Sequence, residues 1–425
     1  MRLFLFFLLG IQIGFAQNLV LQNVNVIPVN TNTVIKGCDV FIKDGKIEAI
    51  SPASSKPYAK SYTVIDCHNK YVMPGLADMH AHFPDNKSPI QLQDYLKLNL
   101  AAGVTTIRSM RGEESQLALR DSIRSQKKIA PNIYVSYVLS YKDSLWTKDS
   151  VERMVSTARQ KNYDFIKYLA GINATNMSYL VESCKKNNIT MAGHAYNRSL
   201  TKSVEAGFTS VEHYQPVLNA YLKDSVNLDK TIALLKEKQT AICPTLSFYH
   251  VYSFKFTKEE LMKRKGMGCV SKKVSDAWMT DYTQALSATQ EQMKNDFETK
   301  YKAVYQKQFS EFNRVFKKMA DASVLILLSP DDGLFNVPGF GMAEEMKLYK
   351  EAGLTNYQIL KASTLNAAIY FKEDKSWGSV EKGKKADLVL LNADPLENIE
   401  NISKVEGTIL NGKYYSQESL LPKAN

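Results

Sequence analysis

Residues 74–82 read PGLADMHAH, an apolar run that ends in two histidines one residue apart. Side chains alternate along a β-strand, so a strand here would direct the imidazoles of His80 and His82 to the same face. Two neutral imidazoles on one face supply half of a zinc site. We therefore expect the remaining ligands at the ends of later strands.

The middle of the chain alternates short apolar runs with helical stretches, as in a parallel sheet or barrel. Eight apolar runs are predicted as strands, which is the number that a (β/α)8 barrel requires. The predicted fold class is therefore α/β, a TIM-like (β/α)8 barrel. The eight runs are Leu76–Met79, Val104–Arg108, Ile133–Val138, Phe165–Tyr168, Thr190–His194, Ser210–His213, Ala241–Leu246 and Val324–Leu328.

Strand patterns at both ends of the chain predict a second, smaller domain. Asn18–Met73 is rich in β-branched residues and holds an Asp-Gly hairpin turn at Asp44, and the end of the chain has a similar pattern. We predict a β-sandwich domain from residues 17–73 and 376–425, with the barrel over residues 74–375. The barrel contains a charged, mostly helical insertion at residues 249–321, which is either a wall or lid of the substrate pocket or a packing or dimerisation arm.

The composition favours a globular protein that acts on small molecules. Of the 425 residues, 44% are hydrophobic, and the formal charge of +11 is spread along the sequence. No nucleic-acid reader module is recognisable, so no nucleic-acid partner is expected, whereas a basic rim that attracts anionic substrates and a homo-oligomer stay open. The cysteines have no metal-ligand spacing and are predicted mostly as packing residues, with one disulfide left open.

Residues 1–16 are predicted to form a cleaved export signal. Arg2 precedes the apolar run Leu3–Phe15, which is too short to span a bilayer comfortably, and small residues precede a cleavage point after Ala16. The alternative is an uncut membrane anchor. The expected location is the periplasm or the cell exterior, with no membrane span after cleavage.

Four of the six histidines lie at the C-terminal ends of predicted barrel strands, where barrel enzymes carry out their chemistry. They are His80, His82, His194 and His213. Asp331 follows the very apolar eighth strand, and its buried charge requires a partner such as a metal ion or a metal-bound water. Its neighbour Asp332 is better suited to capping the next turn.

Lys167 lies inside the apolar strand Phe165–Tyr168, where burial disfavours the charged form of its amine. The neutral amine can react with carbon dioxide to give a carbamate, whose two oxygens could bridge two cations. A lysine that extends its amine to solvent is the alternative. The position of Lys167 between the His-x-His strand and the two later histidines favours the carbamate.

The order His-x-His, Lys, His, His and Asp on successive strands resembles the amidohydrolase superfamily. The closer resemblance is to its imidazolonepropionase-like and Xaa-dipeptidase (prolidase)-like branch, through residues 73–82 (MPGLADMHAH) and 103–108 (GVTTIR). Residues 194–196 (HAY), 211–213 (VEH) and 378–389 (GSVEKGKKADLV) continue it. The resemblance covers the chain from about residue 18 to its end, apart from the insertion.

This resemblance implies a site for two zinc ions with a lysine carbamate between them. One set of side chains would hold the more buried ion and a second set the more exposed ion. The first set is His80, His82 and Asp331, the second is His194 and His213, and the bridge is Lys167.

The resemblance also implies a reaction. A hydroxide that bridges the two metals would attack an amide carbonyl, and Asp331 would take its proton and pass it to the leaving nitrogen. Tyr196 and Arg108 would contact a substrate carboxylate. The expected function is that of an exported metal-dependent hydrolase of carbon–nitrogen bonds, acting on a dipeptide or an N-acyl amino acid. The alternatives are a cyclic-amide (imidazolone-type) hydrolase or deaminase, and an exported non-catalytic binding protein on the same fold.

One departure from the family pattern bears on the predicted base. Ser329 and Pro330 precede Asp331 where the family has Gly-Thr. A proline fixes its own φ angle and has no amide to donate. The departure therefore bears on where the backbone places Asp331.

Overall fold

The computed structural model describes residues 18–54, 56–139, 146–223 and 225–422, so the predicted export signal lies outside the described residues. Within these ranges the chain forms two sheets and a set of helices. The strands are β1 (Asn18–Val26), β2 (Ile35–Lys43), β3 (Lys46–Pro52), β4 (Tyr62–Asp66), β5 (Tyr71–Pro74), β6 (Leu76–Ala81), β7 (Val104–Ser109), β8 (Asn132–Leu139), β9 (Phe165–Tyr168), β10 (Thr190–Gly193), β11 (Phe208–Glu212), β12 (Ala241–Cys243), β13 (Leu388–Leu391), β14 (Val405–Leu410) and β15 (Lys413–Ser416). The helices are α1 (Leu92–Ala101), α2 (Glu114–Arg124), α3 (Lys148–Gln160), α4 (Ala174–Lys186), α5 (Leu200–Glu205), α6 (Gln215–Lys223), α7 (Leu228–Glu237), α8 (Leu246–Tyr252), α9 (Lys258–Met262), α10 (Lys272–Met293), α11 (Ala303–Asp321), α12 (Gly341–Glu351), α13 (Asn356–Ala362), α14 (Leu365–Tyr370) and α15 (Gln417–Leu420).

Seven parallel strands, β6 to β12, pair in chain order and form the wall of a barrel. The predicted eighth strand at residues 324–328 contributes one bridge rather than a regular ladder. The amide of Leu327 donates to the carbonyl of Ile242 at 2.9 Å, and the amide of Met79 donates to the carbonyl of Leu328 at 3.2 Å. This segment therefore links β12 to β6, and the predicted TIM-like barrel is confirmed.

The second sheet combines strands from both ends of the chain, as predicted. Its order is β15-β14-β13-β5-β1-β2-β3, with β4 beside β1. The strand β5 joins the two ends, because it pairs in parallel with β1 and antiparallel with β13. The predicted hairpin turn connects β2 to β3 at Asp44 and Gly45, whose φ angles of 50° and 74° suit a type I′ turn.

The insertion folds as helices that pack on the barrel. It runs from the second half of α8 through α9, α10 and α11, of which α10 has 22 residues and α11 has 19. The ring of Phe316 on α11 contacts that of Tyr349, with centroids 4.8 Å apart, and Phe312 contacts Tyr214 at 5.7 Å. No helix in the described ranges combines the length and the apolar character that a membrane span requires. The cysteines are free thiols, buried except for the half-buried Cys269, in agreement with a packing role.

Gly193→Ala should destabilise the fold much more than the matched control Gly207→Ala. Both glycines have a positive φ, 141° and 83°, but a Cβ atom at Gly193 would lie 2.1 Å from the carbonyl oxygen of Tyr168 on the neighbouring strand. A Cβ atom at Gly207 meets nothing within 4 Å. In urea unfolding we expect a loss of about 1–2 kcal/mol for Gly207→Ala from backbone strain and at least about 3 kcal/mol for Gly193→Ala. Equal losses would show that β9 and β10 lie far enough apart at Gly193 to admit a Cβ atom.

Candidate metal centre

The end of β6 and the segment after residue 328 bring three predicted ligands together. The Nε2 atom of His82 lies 3.3 Å from Oδ1 of Asp331, and the Nε2 atom of His80 lies 3.8 Å from its Oδ2. One donor atom from each of the three side chains falls within a group 4.8 Å across. Such a cluster of imidazole nitrogens and a carboxylate oxygen is small enough to surround one cation.

The imidazoles of His194 and His213 extend this cluster along the C-terminal ends of the barrel strands, which we call the rim. The ring centroid of His213 lies 4.8 Å from that of His80 and 4.9 Å from that of His194. The Nδ1 atom of His213 lies 2.8 Å from the hydroxyl of Thr245 and 3.9 Å from Oδ2 of Asp331. All four predicted histidines thus converge on one end of the barrel.

These four imidazoles are in the neutral form near pH 7. Burial lowers the pKa of His82 to about 3 and the pKa of His194 to about 4. Burial also holds the pKa values of His80 and His213 well below their usual value. A neutral imidazole has a free lone pair, so each ring is available as a metal ligand.

The amine of Lys167 lies beside this cluster without a partner of its own. The residue is 1% exposed, and in the described part of the chain its Nζ atom has no hydrogen-bond partner. Its charge interacts with all four histidines and with Asp331. Burial lowers the pKa of this amine, which favours the neutral form that reacts with carbon dioxide. Lys167 does not reach solvent, so the alternative of a solvent-directed lysine is wrong.

Glu212 belongs to the site, although it was not predicted as a functional residue. Its carboxylate accepts hydrogen bonds from Nη2 of Arg108 at 2.9 and 3.0 Å and lies 2.7 Å from Nδ1 of His80. A carboxylate on the far nitrogen of a metal-binding histidine fixes the tautomer and the orientation of the ring. The signal in the sequence was a glutamate at the end of a predicted barrel strand, directly before the predicted ligand His213.

The structure argues against the predicted contact of Arg108 with a substrate carboxylate. The side chain is fully buried inside the barrel. Its Nε atom donates to the carbonyl of Met79 at 2.5 Å, Nη1 donates to Ser210 at 2.8 Å, and Nη2 donates to the carboxylate of Glu212. A buried guanidinium with a carboxylate partner stabilises that partner's charge. Arg108 therefore holds Glu212 and does not face a substrate.

Tyr196 is also placed differently from the prediction of a substrate contact. Its side chain is buried, and its ring packs against Tyr168 with centroids 6.4 Å apart. Among the described residues it does not line the cavity beside His82. The carboxylate of Asp332 is directed away from the cluster and accepts the amide of His82 and, at 3.4 Å, the hydroxyl of Tyr95, so among the described residues it does not cap the next turn as predicted.

Three residues of the rim have a left-handed backbone. The φ angle is 72° at His213, 53° at Thr245 and 58° at Asp331. Such angles cost a non-glycine residue about 1–3 kcal/mol and persist where many contacts impose them, often at active sites. The seventh strand consequently ends at Cys243, and the predicted end at Leu246 is wrong, because Thr245 leaves the β region.

A cavity of about 280 Å³ opens beside His82. This volume lies near the lower limit of small-molecule pockets, about 300 Å³. The insertion provides part of its wall, which agrees with the predicted wall or lid. The side chains from the insertion are Tyr252, Trp278 and Asp281, and the charged side chains from elsewhere include Asp85 and Arg111.

The chain is similar in sequence and fold to known proteins. The Amidohydrolase family model matches residues 71–414. The chain is 23% identical to the human (Homo sapiens) probable imidazolonepropionase over 391 residues, 86% of each protein. A solved Xaa-Pro dipeptidase with methionine in its active site is 19% identical, with a TM-score of 0.67 over 94% of this chain and 100% of that one. Bottromycin amidohydrolase, also 19% identical, has a TM-score of 0.71 over 95% of this chain and 88% of its own.

The family match spans most of the chain, and it includes every predicted ligand. The predicted superfamily is confirmed, and relatives from the imidazolonepropionase-like and prolidase-like branch support the closer resemblance. This match also decides against the alternative of a non-catalytic binding protein. The chain belongs to the amidohydrolase family and is a hydrolytic enzyme that acts on carbon–nitrogen bonds.

Proposed function

We propose that the chain is a metal-dependent amidohydrolase that cleaves the amide bond of a dipeptide or an N-acyl amino acid. One observation carries the proposal: His80 and His82 converge on Asp331 beside the buried amine of Lys167, which has no hydrogen-bond partner within the described ranges. Imidazole nitrogens and carboxylate oxygens are the donors that zinc prefers in catalytic sites. A buried amine without a hydrogen-bond partner is energetically costly. As a carbamate, the same side chain would instead offer two oxygens to the proposed zinc ions.

The donors divide into two sets, as the family resemblance implies. The carbamate forms when the neutral Nζ attacks carbon dioxide and releases one proton, which leaves a singly charged group with two oxygens. When bound, zinc would polarise the amide carbonyl and lower the pKa of a water molecule. One ion would be held by His80, His82 and Asp331, the other by His194 and His213, and both by Lys167.

The side chains of the protein supply the orientation and the proton transfer. The carboxylate of Asp331 would accept the proton of the attacking water and pass it to the leaving nitrogen. Burial raises the pKa of Asp331, which makes it a stronger base than an exposed aspartate. Glu212 keeps His80 in place, and Thr245 does the same for His213.

The cavity favours a small amide with a carboxylate and an apolar side chain. Arg111 is largely exposed there, and its ion pair with Asp85 is long, 3.8 Å, so its guanidinium is available to a substrate carboxylate. Tyr252 and Trp278 offer apolar surface to a substrate side chain. The second candidate is hydrolysis or deamination of a cyclic amide of the imidazolone type, which the similarity to the human protein favours.

We further propose that the enzyme is exported, supported by the sequence of residues 1–16. Cleavage after Ala16 predicts that N-terminal sequencing of the mature protein, recovered from outside the cytoplasm, begins at Gln17. A cytoplasmic or membrane-bound protein that still begins at Met1 would contradict this proposal.

A substrate screen with metal removal tests the proposed reaction. Dipeptides, N-acyl amino acids and cyclic amides should be offered to zinc-loaded, chelator-stripped and zinc-restored enzyme. We expect hydrolysis of linear amides, its loss on stripping, and its return with zinc. Turnover of cyclic amides alone would favour the second candidate, and a rate that survives stripping would refute the metal-dependent scheme.

Asp331→Asn and Asp332→Asn form a matched pair in the same screen. Asp331→Asn should lower kcat by about 10²–10⁴-fold because the proton acceptor is lost. Asp332→Asn retains an oxygen that accepts the amide of His82, so its effect should stay within about tenfold. Equal losses would show that Asp331 has no special part in proton transfer.

A further inference from the structure

We propose that Arg264, in the insertion, is a positioning residue that acts on Asp331 through Asn336. The inference rests on the proposed role of Asp331 as proton acceptor. It assigns the insertion a part in aligning the reacting groups, beyond its contribution to the wall of the cavity.

The backbone of Asp331 is held on both sides in an unfavourable conformation. Its φ angle of 58° is uncommon for a residue other than glycine, and the preceding Pro330 has no amide that could anchor the chain. The amide of Asp331 donates to Ser329 at 3.1 Å. The carbonyls of Pro330 and Asp331 both accept hydrogen bonds from Nδ2 of Asn336 at 3.2 Å. The direction of the Asp331 carboxylate follows from these backbone angles, so Asn336 helps to set it.

Asn336 is in turn held in one orientation by Arg264. The Oδ1 atom of Asn336 accepts from Nη2 of Arg264 at 2.6 Å and from the hydroxyl of Ser247 at 2.7 Å. The same Nη2 donates to the Ser247 hydroxyl at 2.7 Å, and Nε donates to the carbonyl of Phe335 at 3.0 Å. With Oδ1 facing these donors, the Nδ2 group must face the two carbonyls at Asp331. A flipped amide would oppose acceptor to acceptor and donor to donor.

The guanidinium of Arg264 is buried, so these contacts are not screened by water. The residue is 8% exposed, and its charge is balanced by Glu344, whose carboxylate lies 3.6 Å from Nη1. The guanidinium also lies over the ring of Phe256 at 5.5 Å. Polar networks of this kind order the groups they contact when every member is satisfied. Arg264 does not line the cavity beside His82, so it can affect turnover without contacting the substrate.

A double-mutant cycle, measured as kcat, tests whether Arg264 acts on Asp331 through Asn336. Arg264→Met and Asn336→Ala should each lower kcat by about 10- to 100-fold, the usual effect of removing a side chain that orients a ligand. KM should change by less than about threefold in Arg264→Met. If Arg264 acts through Asn336, the double variant should lose no more than about threefold beyond Asn336→Ala. Losses that multiply would mean two independent roles and would overturn the proposal.

Arg314→Met is the matched control, because Arg314 is also an arginine of the insertion but is exposed on α11. It should retain the kcat and the thermal midpoint of the wild type. If Arg264→Met does not fold, Arg264→Lys takes its place in the cycle. Lysine keeps the charge but loses the fork of donors, so we expect a smaller loss of kcat. Combined with Asn336→Ala, it should again lower kcat by no more than about threefold beyond Asn336→Ala alone.

Zinc affinity provides a readout that needs no substrate. Metal-free Arg264→Met should bind zinc at least about tenfold more weakly than the metal-free wild type, because a displaced Asp331 is a poorer ligand. A wild type that binds no zinc would refute the proposed function instead. A folded Arg264→Met variant with unchanged zinc affinity and unchanged kcat would overturn this inference alone.

Discussion

The buried amine of Lys167 is the constraint on which the arrangement of the site depends. The barrel places it on β9, in the interior, where no neighbouring oxygen in the described residues accepts a hydrogen bond from it. An unpaired amine at such a position costs several kcal/mol, and its charge would repel the cations proposed beside it. The conversion to a carbamate that we propose would turn this unfavourable group into an anion with two oxygens. The neutral imidazoles and the carboxylate around it are then a matching set of ligands.

Other buried charged residues near the ligands have partners that hold them in position. Arg108 and Glu212 neutralise each other, and Glu212 also orients His80. Asp78 accepts the hydroxyl of Ser329 at 2.6 Å, which connects β6 to the segment that leads into Asp331. His80 on β6 is thus supported by Glu212 on β11, and the segment that carries Asp331 is tied to Asp78 on β6. The precision of the site therefore depends on closure of the whole barrel.

Site residues were predictable from the sequence where an unusual residue type coincides with the two-residue period of a strand. The spacing of His80 and His82 placed both rings on one face, and both Nε2 atoms do reach Asp331. Lys167 was recognisable because a lysine in an apolar strand requires an explanation. The role of Arg108 was not predictable in this way, since its partner Glu212 lies 104 residues later and only the folded barrel brings them together.

Local backbone geometry and the insertion were the least predictable parts. Thr245 is β-branched, so nothing in its type indicated the left-handed turn that ends β12 early. The eighth strand was predicted as regular but makes one bridge. The contacts of Arg264 with Asn336 depend on how the insertion packs, and helical periodicity within residues 249–321 carries no information about a partner 72 residues away.

Metal content per chain is the most direct test of the account. Elemental analysis of wild-type enzyme purified without chelators should find about two zinc ions per chain. The Lys167→Ala variant should contain markedly less zinc and should regain part of its activity when a short-chain carboxylic acid is supplied in place of the carbamate. A wild type with one ion or none, or a Lys167→Ala variant with wild-type metal content and activity, would contradict the account.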